Sequence, residues 1–179
     1  MTARLGLFGL CGVLSGALFG CASLPESYSP PPQRPFFEAP PEAARILNMA
    51  DADAERHFVQ DISLSLEGNS WRWTGKRPTI HLHPGSQPKM TFSIDLAIAG
   101  VTLEHTGPVT LSLFVNNHLL DRVRYTTPGR RQVERAVPAE WIDPNEDVML
   151  AAEIDKLWSP APDAKPLGFI LHALGLEPK

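Results

Sequence analysis

Cysteine is scarce in this chain: Cys11 and Cys21 are the two present in 179 residues. A disulfide-dense scaffold is therefore excluded, and stability must come from a hydrophobic core. Excess charge of one sign is also missing. Sixteen Lys and Arg stand against 20 Asp and Glu, for a formal net charge of −4, which argues against nucleic acid as a partner. Hydrophobic residues make up 43%, too few for a protein with several membrane spans. Catalytic signatures are lacking too. There is no G-x-S-x-G elbow, no H-E-x-x-H pair and no glycine loop that could cradle phosphate. The chain is read as non-catalytic, and neither a cofactor nor a metal is expected.

The first residues carry the clearest pattern. Arg4 precedes an apolar run from Leu5 to Phe19, shorter than the about 20 residues of a spanning helix. The run has the layout of a secretory signal peptide. Its end, Leu18-Phe19-Gly20-Cys21, resembles the lipobox of bacterial lipoproteins. That resemblance implies cleavage before Cys21 and lipidation of its thiol, with residues 1–20 as the leader. Cys11 is a poor alternative because Leu10 before it is too large for cleavage. Lipid on Cys21 would hold the protein to a membrane. Ala22, which is not Asp, implies the outer membrane where a bacterium has two.

Residues 21–41 read as a linker. Pro25, Pro30, Pro31, Pro32, Pro35, Pro40 and Pro41 favour extended polyproline conformation and cannot build a core. Phe36 and Phe37 could dock back on the domain. Residues 42–56 form a lead-in, with a short helix expected from Pro41 to Met49.

From residue 57 to 179 the hydrophobic period becomes two-fold. Ile62, Leu64 and Leu66 alternate with serines; Met90, Phe92, Ile94, Leu96 and Ile98 alternate with smaller or polar residues. Val109, Leu111, Leu113 and Val115 form another such run, and Asn116-Asn117 after it marks a tight hairpin. Return strands are expected at Leu119 to Tyr125 and, past Pro128-Gly129, at Gln132 to Val137. Val148 to Ile154 alternates again, while Leu167 to Leu176 is apolar on both faces and reads as a central, doubly covered strand. Many short strands with turns between them predict an all-β fold, an antiparallel β-sandwich of about eight strands.

Three segments together resemble a small β-sandwich domain of bacterial exported lipoproteins that is also appended to envelope-polysaccharide glycosyltransferases. They are Glu67-Gly-Asn-Ser-Trp71-Arg72-Trp73-Thr74, the hairpin Val115-Asn116-Asn117, and a tail of Asp155-Lys156, Trp158-Ser159-Pro160 and Pro166-Leu167-Gly168-Phe169. Lys165 stands where that family often has Arg. The resemblance covers roughly residues 57–177 and implies a jelly-roll-like sandwich in the cell envelope. It implies no reaction.

Several side chains could carry binding. Trp71 and Trp73, two apart on a strand, share a face, with Arg72 on the other. Paired indoles could stack on sugar rings of an envelope polysaccharide; core packing is the commoner use of large aromatics. Glu67 and Arg72 could form an ion pair that orients a ligand or stitches the strand. Trp141 and Trp158 flank proline-rich turns, where they could meet a ligand or plug the sandwich ends. Arg122, Arg124, Arg130 and Arg131 cluster around one hairpin and could contact anions, or simply form a solvated edge that discourages a partner protein's strand. His81 and His83 are the best metal candidates on spacing, with solvated surface histidines the default. Asp143, Glu146 and Asp147 could mimic a glycosidase pair, but Pro144 and Asn145 between them read as a turn.

Overall fold

The computed structural model describes residues 46–85 and 89–178. The leader, Cys21, the proline-rich linker with Phe36 and Phe37, and the first part of the lead-in lie outside the described residues. Among the described residues nine strands form: β1 (Ile46–Asn48), β2 (Phe58–Ile62), β3 (Arg72–Leu82), β4 (Met90–Ile98), β5 (Val109–Val115), β6 (His118–Tyr125), β7 (Gly129–Val137), β8 (Val148–Ile154) and β9 (Ile170–Pro178). One α-helix, α1 (Gly100–Thr106), joins β4 to β5, and short 3-10 turns form at Ala54–His57 and Ala139–Trp141.

The hydrogen-bonded order is β6-β5-β8-β3-β9-β4-β7, with β1 on β9 and β2 on β3. All the pairings are antiparallel. The path folds into two layers that share β3. The start of β3 pairs with β9 through Arg72 and Trp73, in the layer of β1, β9, β4 and β7. Its end pairs with β8 through Thr79 to Leu82, in the layer of β2, β8, β5 and β6. The fold is thus the antiparallel β-sandwich that the alternation predicts.

The core lies between the layers. Val109, Leu111, Leu113 and Val115 of β5 are fully buried, as are Phe92, Ile94 and Leu96 of β4 and Leu171, Leu174 and Leu176 of β9. Each such side chain contributes about 1.5–3 kcal/mol on leaving water. β9 is central, as its continuous apolar run predicts, but it is not covered on both faces: Ile170 and His172 are half-buried on its outer side. Asn116 and Asn117 both adopt positive φ, +46° and +66°, and close the β5–β6 hairpin in a two-residue turn.

Three expectations are corrected. The helix expected up to Met49 is a strand over its described part. Ile46 to Asn48 pair with Gly175 to Ala173, and Leu47 is fully buried. A free stretch of β9 edge outweighs a weak helical pattern there. The alternation of Ile62, Leu64 and Leu66 does not make one strand either. Asp61 takes positive φ and its carboxylate accepts the Arg77 amide at 2.9 Å, so β2 ends at Ile62. Leu64 is then 70% exposed. Finally, α1 was not foreseen, although Gly107 at φ +69° followed by Pro108 is an ordinary helix stop.

The corner where β3 leaves one layer for the other is tightly built. The Thr74 hydroxyl donates to the Phe169 carbonyl at 2.9 Å and accepts the Phe169 amide at 3.0 Å. Gly168 lies so close that a Cβ there would stand 2.3 Å from the Gly75 carbonyl oxygen. Gly168→Ala is therefore expected to destabilise the domain by about 3 kcal/mol, at the upper end of overpacking costs. A urea melt would show this as a lowered midpoint; an unchanged midpoint would refute the close approach.

Candidate functional site

The strongest constellation lies on the outer face of the β9–β4–β7 layer. Residues opposite one another in an antiparallel ladder share a face. Trp73 is opposite Ile170, Ile170 opposite Ala97, and Ala97 opposite Arg130. Trp73 and Arg130 therefore stand at the two ends of one row across four strands, about 14 Å from end to end at about 4.8 Å per strand. Ile170 and Ala97, both half-buried, lie between them.

Trp71 and Trp73 share this face. Their ring centroids are 5.8 Å apart and the ring planes meet at 85°. Both are half-buried. An edge-to-face pair covers one indole face and leaves a right-angled apolar corner.

Beside the corner is a trough of about 370 Å³ lined by Asn48, Asp51, Ser70, Asp95, Arg130 and His172, with Ala50 and Ala173 at its floor. Arg130 grips Asp95 with two nitrogens, Nε at 2.8 Å from Oδ1 and Nη2 at 2.6 Å from Oδ2. The Asp95 carboxylate in turn raises the pKa of Arg130 through that hydrogen bond. Asp51 accepts the Asn48 amide at 2.9 Å through Oδ2. His172 reaches the trough because β9 carries a bulge opposite the Asp95–Leu96 step, and a bulge re-aims one side chain. Burial and the neighbouring Arg130 charge hold its pKa below 6.5, against weaker opposing effects of Asp95 and the Ser70 backbone. The trough thus offers hydroxyl, amide, carboxylate, guanidinium and imidazole groups together, on the face that carries the two half-buried tryptophans.

Of the residues that the sequence singles out, Trp71, Trp73 and Arg130 share this face, and Arg130 lines the trough. The others do not. Arg72 is 4% exposed and lies on the opposite side of β3. Its Nε donates to the Met49 carbonyl at 3.0 Å and its Nη1 to the carbonyls of Ser63 and Leu64. Its ion-pair partner is Glu55 at 3.1 Å, not Glu67, which pairs through its backbone with Trp71 across a turn. Arg72 holds the chain around it and presents no free edge to a ligand.

Trp141 packs against the core and stacks on His118 at 4.9 Å. Trp158 pairs with Leu167 and stacks on His105 at 6.0 Å. Each is capped by an imidazole away from the trough. The arginine cluster divides between the layers. Arg122 and Arg124 are opposite Ser112 and Thr110, on the outer face of the other layer. Arg131 turns back on its neighbours, donating to the Arg130 carbonyl and the Thr127 hydroxyl.

His81 and His83 are half-buried, each with Nδ1 near one oxygen of Asp147, at 3.3 and 3.4 Å. Among the described residues no group of three or more His, Cys, Asp and Glu is arranged to hold a metal ion. Asp143 folds back on Asn145 in an exposed turn.

Asp51, Ser70, Asp95 and His172 were not singled out from the sequence. His172 carried a signal, as the polar residue in an otherwise apolar strand. Asp95 was visible only as one polar member of an alternating run.

No protein-family model matches the chain, and no curated protein sequence matches it. Solved structures resemble its fold remotely. A family 35 carbohydrate-binding module from an environmental isolate aligns at 10% identity and a TM-score of 0.47, over 75% of this chain and 97% of that one. A family GH115 4-O-methyl-alpha-glucuronidase with specificity for decorated arabinogalactans aligns at 12% identity and 0.49, over 79% of this chain and 18% of that one. A family 35 module from Cellvibrio japonicus aligns at 14% identity and 0.41, over 75% and 93%. Likeness at these scores does not extend to a ligand or a binding surface.

The trough should be pH-sensitive through His172. Above pH 6.5 neither the folded nor the unfolded chain protonates it. Below 6.5 the unfolded chain takes up the proton first, so stability falls until the folded state protonates too. NMR titration should place the His172 midpoint below 6.5. A midpoint at or above that value would contradict the burial described here.

Proposed function

We propose that this chain is a lipid-anchored cell-envelope protein whose β-sandwich binds carbohydrate without catalysing a reaction. The observation that carries the reading is the half-buried, edge-to-face pair of Trp71 and Trp73 on the same face as the trough of Asp95, Arg130 and His172. Sugars present an apolar ring face ringed by hydroxyls. An indole meets the first, and a mixed set of donors and acceptors meets the second. The shallow, outward-facing setting suits one stretch of a polymer rather than an engulfed small molecule.

The anchor is the second part of the proposal and rests on Leu18-Phe19-Gly20-Cys21. A membrane-held sandwich behind a proline-rich spacer would meet envelope polysaccharide at a set distance from the bilayer. Lipidation at Cys21 would supply the firm attachment that several acyl chains give.

A partner protein is the alternative. The exposed Val59, Leu64 and Leu66 favour it, since they lie on β2 and the segment after it. Cross-linking in intact cells would reveal such a partner at that edge.

Two outcomes are expected. With envelope polysaccharide of the producing organism, tryptophan fluorescence of the full chain should change saturably. Trp73→Ala should weaken binding by at least about 1 kcal/mol, roughly five-fold, while the domain stays folded. If Trp71→Ala and Trp73→Ala both bind as the parent does, the platform is not the site. For the anchor, Cys21→Ser should move the protein from the membrane fraction to the soluble fraction after export. Retention in the membrane fraction would refute lipid attachment at that residue.

A further inference from the structure

The charge on the candidate face discriminates among sugars. Asp51 and Asp95 line the trough with Arg130, and His172 is held toward its neutral form by burial and by Arg130. The trough therefore carries one net negative charge at neutral pH. The surrounding face adds more. Glu134 is opposite Ser93 and Glu177 opposite Thr91, and both share the face of Asp95 by the two-residue period of β4. Arg130 is the cation among these residues, and Asp95 already occupies its Nε and Nη2.

We propose that this face accepts uncharged sugar residues and excludes uronates, an inference that rests on the carbohydrate reading above. A carboxylate entering the trough would meet the carboxylates of Asp51 and Asp95, while the cation that lines it, Arg130, is already held by Asp95 through two nitrogens. Breaking the Arg130–Asp95 grip would leave Asp95 without its counter-charge. A hydroxyl carries no such penalty. It can donate to the remaining lone pairs of Asp95 or Asp51 and accept from the unused edge of Arg130. The paired guanidinium and carboxylate put a donor and an acceptor side by side, an arrangement that fits two adjacent hydroxyls on one ring. The arginines that could have attracted an acidic polymer, Arg122 and Arg124, belong to the other layer. Placing like charges against an unwanted ligand is a common source of specificity.

The test uses the full chain in mild detergent and polymer pairs of the same linkage, differing at C6: β-galactan, β-mannan and β-glucan, each with its own C6-oxidised form. Binding is read by tryptophan fluorescence at low salt, where charge effects are largest. The neutral member of the recognised pair should bind at least about ten-fold tighter than its acid. The double variant Glu134→Gln, Glu177→Gln, whose changes lie outside the trough, should narrow that ratio by admitting the acid more readily. Equal or tighter binding of the acid, still lost in Trp73→Ala, would overturn the charge selection and leave the carbohydrate reading standing. No binding to either member of any pair, nor to the organism's own polysaccharide, would sink both.

Discussion

The sandwich depends on one strand serving two layers. β3 begins beside β9 and ends beside β8, so the layers are held in register by the turn of its backbone. A strand that changes layers must give up ladder hydrogen bonds at the corner, and buried backbone groups need replacements. Thr74 supplies one with its hydroxyl, which both donates to and accepts from Phe169. Gly168 lets the two backbones approach without a Cβ between them, and Gly75 leaves room for the Asp61 side chain on its other side. Arg72, one turn of the pleat earlier, ties together the carbonyls of Met49, Ser63 and Leu64. A buried arginine is costly unless its charge is met, and Glu55 meets it at 3.1 Å. These contacts explain why Arg72 and Thr74 sit beside two tryptophans. Alternation along β3 sends Arg72 under the chain and Trp71 and Trp73 outward.

The same corner prepares the candidate site. Because Arg72 is fixed from several sides, the backbone that carries Trp71 and Trp73 is fixed too. Rigid presentation lowers the entropy lost when a ligand binds. The far rim of the site is fixed differently, by the two-point grip of Arg130 on Asp95 across neighbouring strands. That pair is surface-exposed and adds little to stability. Its consequence is positional: it holds a charged donor and acceptor in one plane. A second exposed pair, Arg135 with Asp121, joins β7 to β6 where no ladder closes the sandwich. The arginines of that hairpin region are thus largely used in joining and orienting strands.

Much of the fold was legible because alternation reports burial directly. β4, β5 and β8 stand where Phe92, Leu111 and Leu150 recur in a two-residue apolar period, and the Asn116-Asn117 turn follows from the backbone those residues tolerate. Legibility failed where pairing, rather than local pattern, decided. Ile46 to Asn48 became a strand because β9 offered an edge. Leu64 and Leu66 look like core in one dimension, but the positive φ of Asp61 ends the strand before them. For the site, the tryptophan pair was visible and its setting was not. Asp95, Arg130 and His172 are brought together by register across β4, β7 and β9, and by a bulge that no local pattern announces. The expected partner of Arg72 was Glu67, close in sequence; Glu55 takes that place because the preceding turn folds back against β3.

The division of charge between the faces follows from the same register. Strand β7 carries Arg130, Gln132, Glu134 and Ala136 on one side, opposite Ala97, Asp95, Ser93 and Thr91. The other layer carries Arg122 and Arg124 outward on β6, and Arg77 on β3 is held there by Glu153 at 3.5 Å and Asn117 at 2.9 Å. In a flat count these arginines form one cluster; in the fold they are separated by the thickness of the core, about 10 Å between sheets. Each face therefore has its own electrostatic character despite the chain's modest overall charge. The face with the tryptophans carries Asp95, Glu134 and Glu177 with Arg130; the other carries Arg77, Arg122 and Arg124 with Glu153. The tryptophan pair and the mixed hydrogen-bonding groups of the trough thus lie on one side of the molecule, and the arginines of β6 lie on the other.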